Sequence, residues 1–210
     1  QTITKRASLN IENKLLYESV YSNVIDTFQS LVTSIQARDH YTEQHSIRVA
    51  DMSVKIARLT DCKTGDLEQL KIAAALHDIG KISVPDIVLL KPEGLSAEEV
   101  EIMKNHCSLG ESILQSITLL SREKKIIRHH HERWDGQGYP DGISGKNIPF
   151  FARILAVADS FDAMVNERPY RRAMPLDQAF LEIKNGRGSQ FDPAVVDTFL
   201  SPDFRASIPC

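Results

Sequence analysis

The chain has 210 residues, of which 42% are hydrophobic and 25% charged, with a formal net charge of −3 at pH 7. A single domain of this size can bury about 70% of its unfolded surface, so folding requires neither disulfides nor a structural metal. The slightly acidic balance argues against a binder of nucleic-acid polymers, and no run of eighteen apolar residues suggests a membrane span.

In chain order, Leu9, Leu16, Val20, Val24, Phe28, Leu31 and Ile35 recur mostly at spacings of three, four or seven. They predict one apolar stripe on a long N-terminal helix. That helix reads equally well as a signalling or dimerising element and as one packed on its own domain. A second helix is expected over 42–59, with Val49, Met52, Ile56 and Leu59 inward. A third covers 66–79 and stops at Gly80, read as a left-handed cap. Ser96 and Glu99 form a capping-box pattern that starts a helix running into His106, with Gly110 as an interruption. Another helix spans 120–132. The stretch 134–150 holds Gly136, Gly138, Gly142, Gly145, Pro140 and Pro149, which excludes regular structure there. Helices resume over 151–165, from Pro175 to Gly186, and at Asp192-Pro193. Strand signals are nearly absent. The expected fold is all-α, a compact bundle of about seven to nine helices with a long N-terminal helix and no internal repeats.

Cys62, Cys107 and Cys210 are far apart and form no C-x-x-C pair. The pattern suggests a reduced, cytoplasmic protein and speaks against a thiolate zinc site or a disulfide framework. No signal peptide is recognisable, and Gln1 in place of Met suggests a piece of something longer.

The seven histidines are His40, His45, His77, His106, His129, His130 and His131. His77 and Asp78 are adjacent in LHDIGK, so on a helix they point about 100° apart and can reach one centre from neighbouring directions. Lys81 lies on the same face, within reach of a salt link to Asp78. The surroundings are apolar, and an unpaired buried imidazole or carboxylate would be costly. His129, His130 and His131 end a helix before the glycine-rich loop. They cannot all share one face, so at least one is expected to be a spectator, His129 if His130 and His131 act together. Asp159 stands in the apolar run ILAVADSFDAM, where a buried carboxylate needs a cation or several donors.

The set HDIGK, a later lone His, HHERWDGQGYP, VADSFDAM and RPYRR resembles the HD-GYP family of cyclic dinucleotide phosphodiesterases, within the HD superfamily of metal-dependent phosphohydrolases. The likeness runs over about residues 37–200, with the motifs in the family's order. It implies an HD-type all-α fold, with residues 1–37 as a linker or signalling helix and 38–210 as the catalytic domain. The implied reaction is metal-dependent hydrolysis of cyclic di-GMP to linear pGpG, and onward to GMP, in the output domain of a bacterial signalling protein. The alternatives are a weak binding or adaptor module, or a phosphohydrolase acting on another nucleotide.

Carried onto this chain, the family's ligands fall on His45, His77, Asp78, His106, His130, His131 and Asp159. The resemblance groups His45, His77 and Asp159 on one metal and His106, His130 and His131 on the other, with Asp78 bridging. Imidazoles and carboxylates suit two divalent first-row ions, iron or manganese first, with zinc, nickel or magnesium as alternatives. Lys81 and Asp78 are the catalytic candidates. Arg168 and Arg171 are candidate substrate contacts, and Arg172 is expected in solvent. Gly138 and Tyr139 are substrate-side candidates in the GYP loop, with Trp134 as a packing anchor. Where some relatives carry a Glu that holds a third metal, this chain has Tyr41. A neutral phenol is a poor ligand and Glu43 should point elsewhere, so a binuclear site is expected. The implied partners are cyclic di-GMP, an upstream sensor or receiver domain, a second copy through the N-terminal helix, and a cyclic di-GMP synthase through the GYP loop.

Overall fold

A computed structural model describes residues 2–36, 44–60, 62–167 and 172–208. Among them the regular elements are all helical. They are α1 (Thr2–Gln36), α2 (His45–Arg58), α3 (Thr64–Leu76), α4 (Asp86–Leu89), α5 (Ala97–Lys104), α6 (His106–Ile113), α7 (Glu123–His129), α8 (Phe150–Val165), α9 (Leu176–Asn185), α10 (Pro193–Phe199) and α11 (Pro202–Ala206). Extended pairing is limited, among the described residues, to one bridge between Arg187 and Phe191. The all-α expectation holds. The count exceeds nine because α4 and α11 are single-turn pieces of 4 and 5 residues, too short to show a helical period in sequence.

The core lies where α2, α3, α7 and α8 pack together. Val49 and Ile56 of α2, Leu70 and Leu76 of α3, Ile127 of α7, and Ile154 and Leu155 of α8 are all fully buried there. Ala73 and Ala74 of α3 present little bulk, which lets neighbouring helices approach closely. The C-terminal helices are joined to α8 by Phe161, Phe180, Phe199 and Phe204, whose ring centroids lie 4.6–5.3 Å apart.

The local signals are met unevenly. Ser96 accepts from the Glu99 amide and Glu99 returns a bond to the Ser96 amide, so α5 starts with a complete capping box. Asp192 caps α10 through the Ala194 amide. The stripe on α1 divides: Ile25 and Val32 are buried against α3, with Tyr21 and Phe28 beside them, whereas Leu9, Leu16, Val20 and Leu31 are exposed. The side chain of Ile35 lies outside the described residues.

Four sequence expectations are corrected, the first being that Leu59 faces inward: it is exposed at the end of α2. Gly80 is not a left-handed cap, because its φ is not positive and α3 has already ended at Leu76, followed by a 3-10 turn over Ile79–Ser83. Gly110 does not interrupt a helix; the break falls at Asn105, and Gly110 sits inside α6. The helix expected over 120–132 is α7 alone, so His130 and His131 follow it in a turn.

Candidate metal centre

Five chain segments deliver the candidate ligands. His45 is the first residue of α2, and His77 and Asp78 follow α3. His106 opens α6, His130 and His131 follow α7, and Asp159 lies on α8. Two glycines set the approach. A Cβ on Gly80 would stand 1.9 Å from the His106 carbonyl oxygen and 2.7 Å from the Gly110 amide nitrogen. Only a residue without a side chain lets the turn after Asp78 touch the backbone of α6. That is the physical content of the Gly in HDIGK.

The imidazoles are oriented from behind. The Nδ1 atoms of His77, His106 and His130 lie 2.6, 2.7 and 2.6 Å from the carbonyl oxygens of Ala74, Met103 and Ile127, each three residues earlier. A carbonyl can only accept, so each Nδ1 carries a proton and each Nε2 is the nitrogen turned inward. His45 Nδ1 is held instead by a carboxylate, Asp162, at 2.7 Å. Asp162 is gripped by Arg48 at 2.6 and 2.9 Å and by the Asn166 side chain at 3.0 Å. Holding the far nitrogen by a carbonyl or carboxylate is how proteins orient metal-binding histidines.

On the inner side, His45 Nε2 is 3.2 Å from Asp159 Oδ1, and His77 Nε2 is 4.0 Å from the same oxygen. The two oxygens of Asp78 face different imidazoles: Oδ2 is 3.5 Å from His77 Nε2 and Oδ1 is 3.7 Å from His106 Nε2. His106 and His130 meet Nε2 to Nε2 at 3.3 Å. The His131 ring packs against His106, His130 and Tyr139, with centroids 5.2, 4.1 and 5.0 Å away. All seven candidates therefore fall in one cluster.

Charge separates its two ends. Burial works against a charged His45, but Asp159 and Asp162 raise it to about 9. Burial pushes His106 and His130 down, and His131 down to about 3. Burial also acts to raise Asp78, yet the Lys81 ammonium holds it well below the usual carboxylate range. Lys81 Nζ is 2.7 Å from Asp78 Oδ2, so the salt link considered from sequence is present. With His106 and His130 neutral and their Nδ1 protons engaged, no proton of either ring lies between the two Nε2 atoms. Two buried lone pairs facing each other at 3.3 Å fit a cation between them.

Other sequence candidates take different places. His129 bonds Asp141 at 2.9 Å and the Lys125 carbonyl at 2.8 Å, as the expected spectator. Gly138 lies against the chain's own backbone, where a Cβ would stand 2.3 Å from the Arg133 amide nitrogen. Tyr139 packs on His131, with Lys104 Nζ 5.6 Å from its ring centre. Trp134 packs under the Arg153 guanidinium and accepts from Gly145 through its carbonyl, anchoring the loop. Arg168, Arg171, Tyr41 and Glu43 lie outside the described residues, and with them the third-metal question.

Four contributors escaped the sequence reading. Asp162 follows Asp159 by three residues on α8, and that spacing was a usable signal. Arg48 stands in the same relation to His45. Glu132 is buried, and its Oε1 accepts from the Asp141 and Gly142 amides at 2.7 and 3.1 Å, tying the loop to the HHE segment. Cys107 stands beside the cluster: its Sγ is 3.5 Å from His106 Nε2. Burial pushes this thiol up, so without a cation it is neutral. Pair spacing could not find it, because the neighbouring imidazoles come from separate segments.

The sequence model of the HD domain family matches residues 23–195. A cyclic di-GMP phosphodiesterase of Thermotoga maritima is 43% identical over 186 residues, covering 88% of this chain and 50% of the relative. The cyclic di-GMP phosphodiesterase response regulator RpfG of Xanthomonas campestris is 38% identical over 200 residues, covering 93% and 53%. The chain thus spans about half the length of these curated relatives. Among solved structures, a cyclic GMP-AMP specific phosphodiesterase of Vibrio cholerae superposes with a TM-score of 0.64 at 22% identity, covering 89% of this chain and 51% of that one. That likeness concerns the fold.

Proposed function

We propose, from the premise that this chain belongs to the HD domain family, that it is a metal-dependent phosphodiesterase hydrolysing cyclic di-GMP to pGpG and onward to GMP. The observation that carries the reading is the pair of opposed Nε2 atoms on His106 and His130, within a cluster that also holds two ionised carboxylates. We assign two divalent cations, iron or manganese first: one to His45, His77 and Asp159, the other to His106, His130 and His131, with Asp78 shared. Bound there, they supply an acidified water and charge neutralisation at the phosphate.

The chain's own groups do the rest. Asp78 directs one oxygen to each half, so both halves keep a common spacing. Lys81 keeps Asp78 ionised, and an ammonium has three donors, which is compatible with a second contact to a non-bridging phosphate oxygen. Gly138 lets the loop lie against the HHE backbone, and Tyr139 offers a ring edge beside His131 for a guanine base. Arg168 and Arg171 provide planar forks for phosphate or guanine.

Residues 1–37 act, on this reading, as a signalling helix and 38–210 as the catalytic unit. The exposed Leu9, Leu16 and Val20 support a homodimer through α1, and the GYP loop is the face for a synthase. A response-regulator relative supports an output role behind a receiver domain. No described helix is long and apolar enough to cross a membrane, and a cytoplasmic location follows as part of the proposal.

The test is anaerobic turnover of cyclic di-GMP, with a mixed cyclic GMP-AMP dinucleotide alongside, across Fe, Mn, Mg and Zn. Linear dinucleotide product with iron or manganese is expected. No hydrolysis with any of these metals would overturn the enzyme reading in favour of an adaptor module.

A further inference from the structure

The His106 half differs from an ordinary nitrogen and oxygen site in one respect. One ligand atom from each of His106, Cys107, His130 and His131 lies within 4.8 Å of all the others. A tetrahedral cation with bonds of about 2.05 Å to nitrogen and about 2.3 Å to sulfur has N–N edges of about 3.3 Å and S–N edges of about 3.6 Å. The cluster shows 3.3 Å between the Nε2 atoms of His106 and His130, and 3.5 Å from Cys107 Sγ to His106 Nε2. Sγ is 3.9 Å from His130 Nδ1, the atom that bonds the Ile127 carbonyl, so the sulfur lies beside both rings. Cys107 has no exposed surface, and neither has His130.

We propose that Cys107 gives this half a second coordination mode, in which a thiophilic cation such as Zn²⁺ or Cd²⁺ is enclosed by the three imidazoles and one thiolate. The inference rests on reading the cluster as a cation site and goes beyond it, because it separates metals by their affinity for sulfur. The S–H bond breaks as the metal–sulfur bond forms, and the proton passes to the buffer. Four protein ligands close the coordination sphere and leave no position for water, the property that distinguishes structural zinc sites from catalytic ones. Hard cations such as Mn²⁺ gain little from the thiol and keep the open, Asp78-sharing mode. Thiophilic metals then compete with the working metal at this half and block it.

The experiment is a Cd²⁺ titration of the chelator-treated full chain, followed by the ultraviolet charge-transfer band of a thiolate bound to cadmium. Mn²⁺ uptake is measured in parallel by electron paramagnetic resonance. The band is expected in the wild type and in the Cys62→Ser/Cys210→Ser double variant, and should be lost in both Cys107→Ser and Cys107→Ala. Mn²⁺ uptake by both Cys107 variants shows that they are folded with the cation site intact. Mn²⁺ uptake by the wild type without the cadmium band, or a band that survives in the Cys107 variants, would overturn this inference alone. Failure of the wild type to take up either metal would overturn the cation-site reading and this inference with it.

Discussion

His45 and His130 belong to one cluster, yet their surroundings drive them in opposite directions. His45 sits between Asp159 and Asp162 and is raised to about 9. His130 is backed only by a carbonyl, is crowded by other imidazoles, and is lowered by burial. The His45 half thus carries paired charges, whereas the His106, His130 and His131 half is neutral and rich in nitrogen, with sulfur beside it. The difference arises from carboxylates: Asp159 meets the inner nitrogen of His45 and Asp162 the outer one, whereas His130 has a carbonyl behind it and imidazoles around it. Asp78 is the group they share, one oxygen to each.

The comparison is broken most severely at Asp78. Asp78→Ala should lower turnover by about 10²–10³-fold or more and reduce cation content in both halves, as read by elemental analysis and a helicity check. Unchanged stoichiometry would remove it from the shared position. Next is Gly80→Ala, whose Cβ would meet the His106 carbonyl oxygen at 1.9 Å. The collision is of a Cβ with backbone atoms and cannot be relieved by a rotamer, so a stability loss of about 1–3 kcal/mol or more is expected in denaturant melts. A neutral result would mean that the Asp78 turn and α6 are not in direct contact.

Asp162→Asn sharpens the comparison, because it acts on one half only. The loss of a carboxylate behind His45 should weaken cation affinity there by about 10–100-fold while the other half keeps its affinity, in a calorimetric titration. Equal weakening of both would show that the halves are not independent. The pH dependence of the cation-free protein tests the same end. His45 is raised from 6.5 to about 9 on folding, so its charge favours the folded state. That stabilisation is complete below about pH 6.5 and is lost as pH rises through about 9. The melting temperature in chelator should therefore fall over this interval in the wild type, more steeply than in His45→Gln. In the RPYRR stretch, Arg168→Ala and Arg171→Ala should each lower kcat/KM by the equivalent of about 1–3 kcal/mol with cations retained. Wild-type kinetics in both would return that stretch to solvent.

What sequence alone determined follows from physics that is local in the chain. Helical period, the Ser96 and Glu99 pair and the Asp192-Pro193 start are short-range signals, and the structure follows them closely. The seven ligand candidates were also readable, because their spacing matches a known motif order. The chain could not show by itself what would stand behind each of them. Asp162 reaches His45 across 117 residues, and Cys107 meets His130 across 23. Gly80 reads as a helix stop until α6 is packed against it, and α1 reads as one stripe until the body of the protein covers part of it. Local backbone preferences depend on a residue and its near neighbours, so sequence carries them. The acidity of an imidazole and the company of a thiol depend on atoms brought within a few ångströms by packing, so only the tertiary structure decides them.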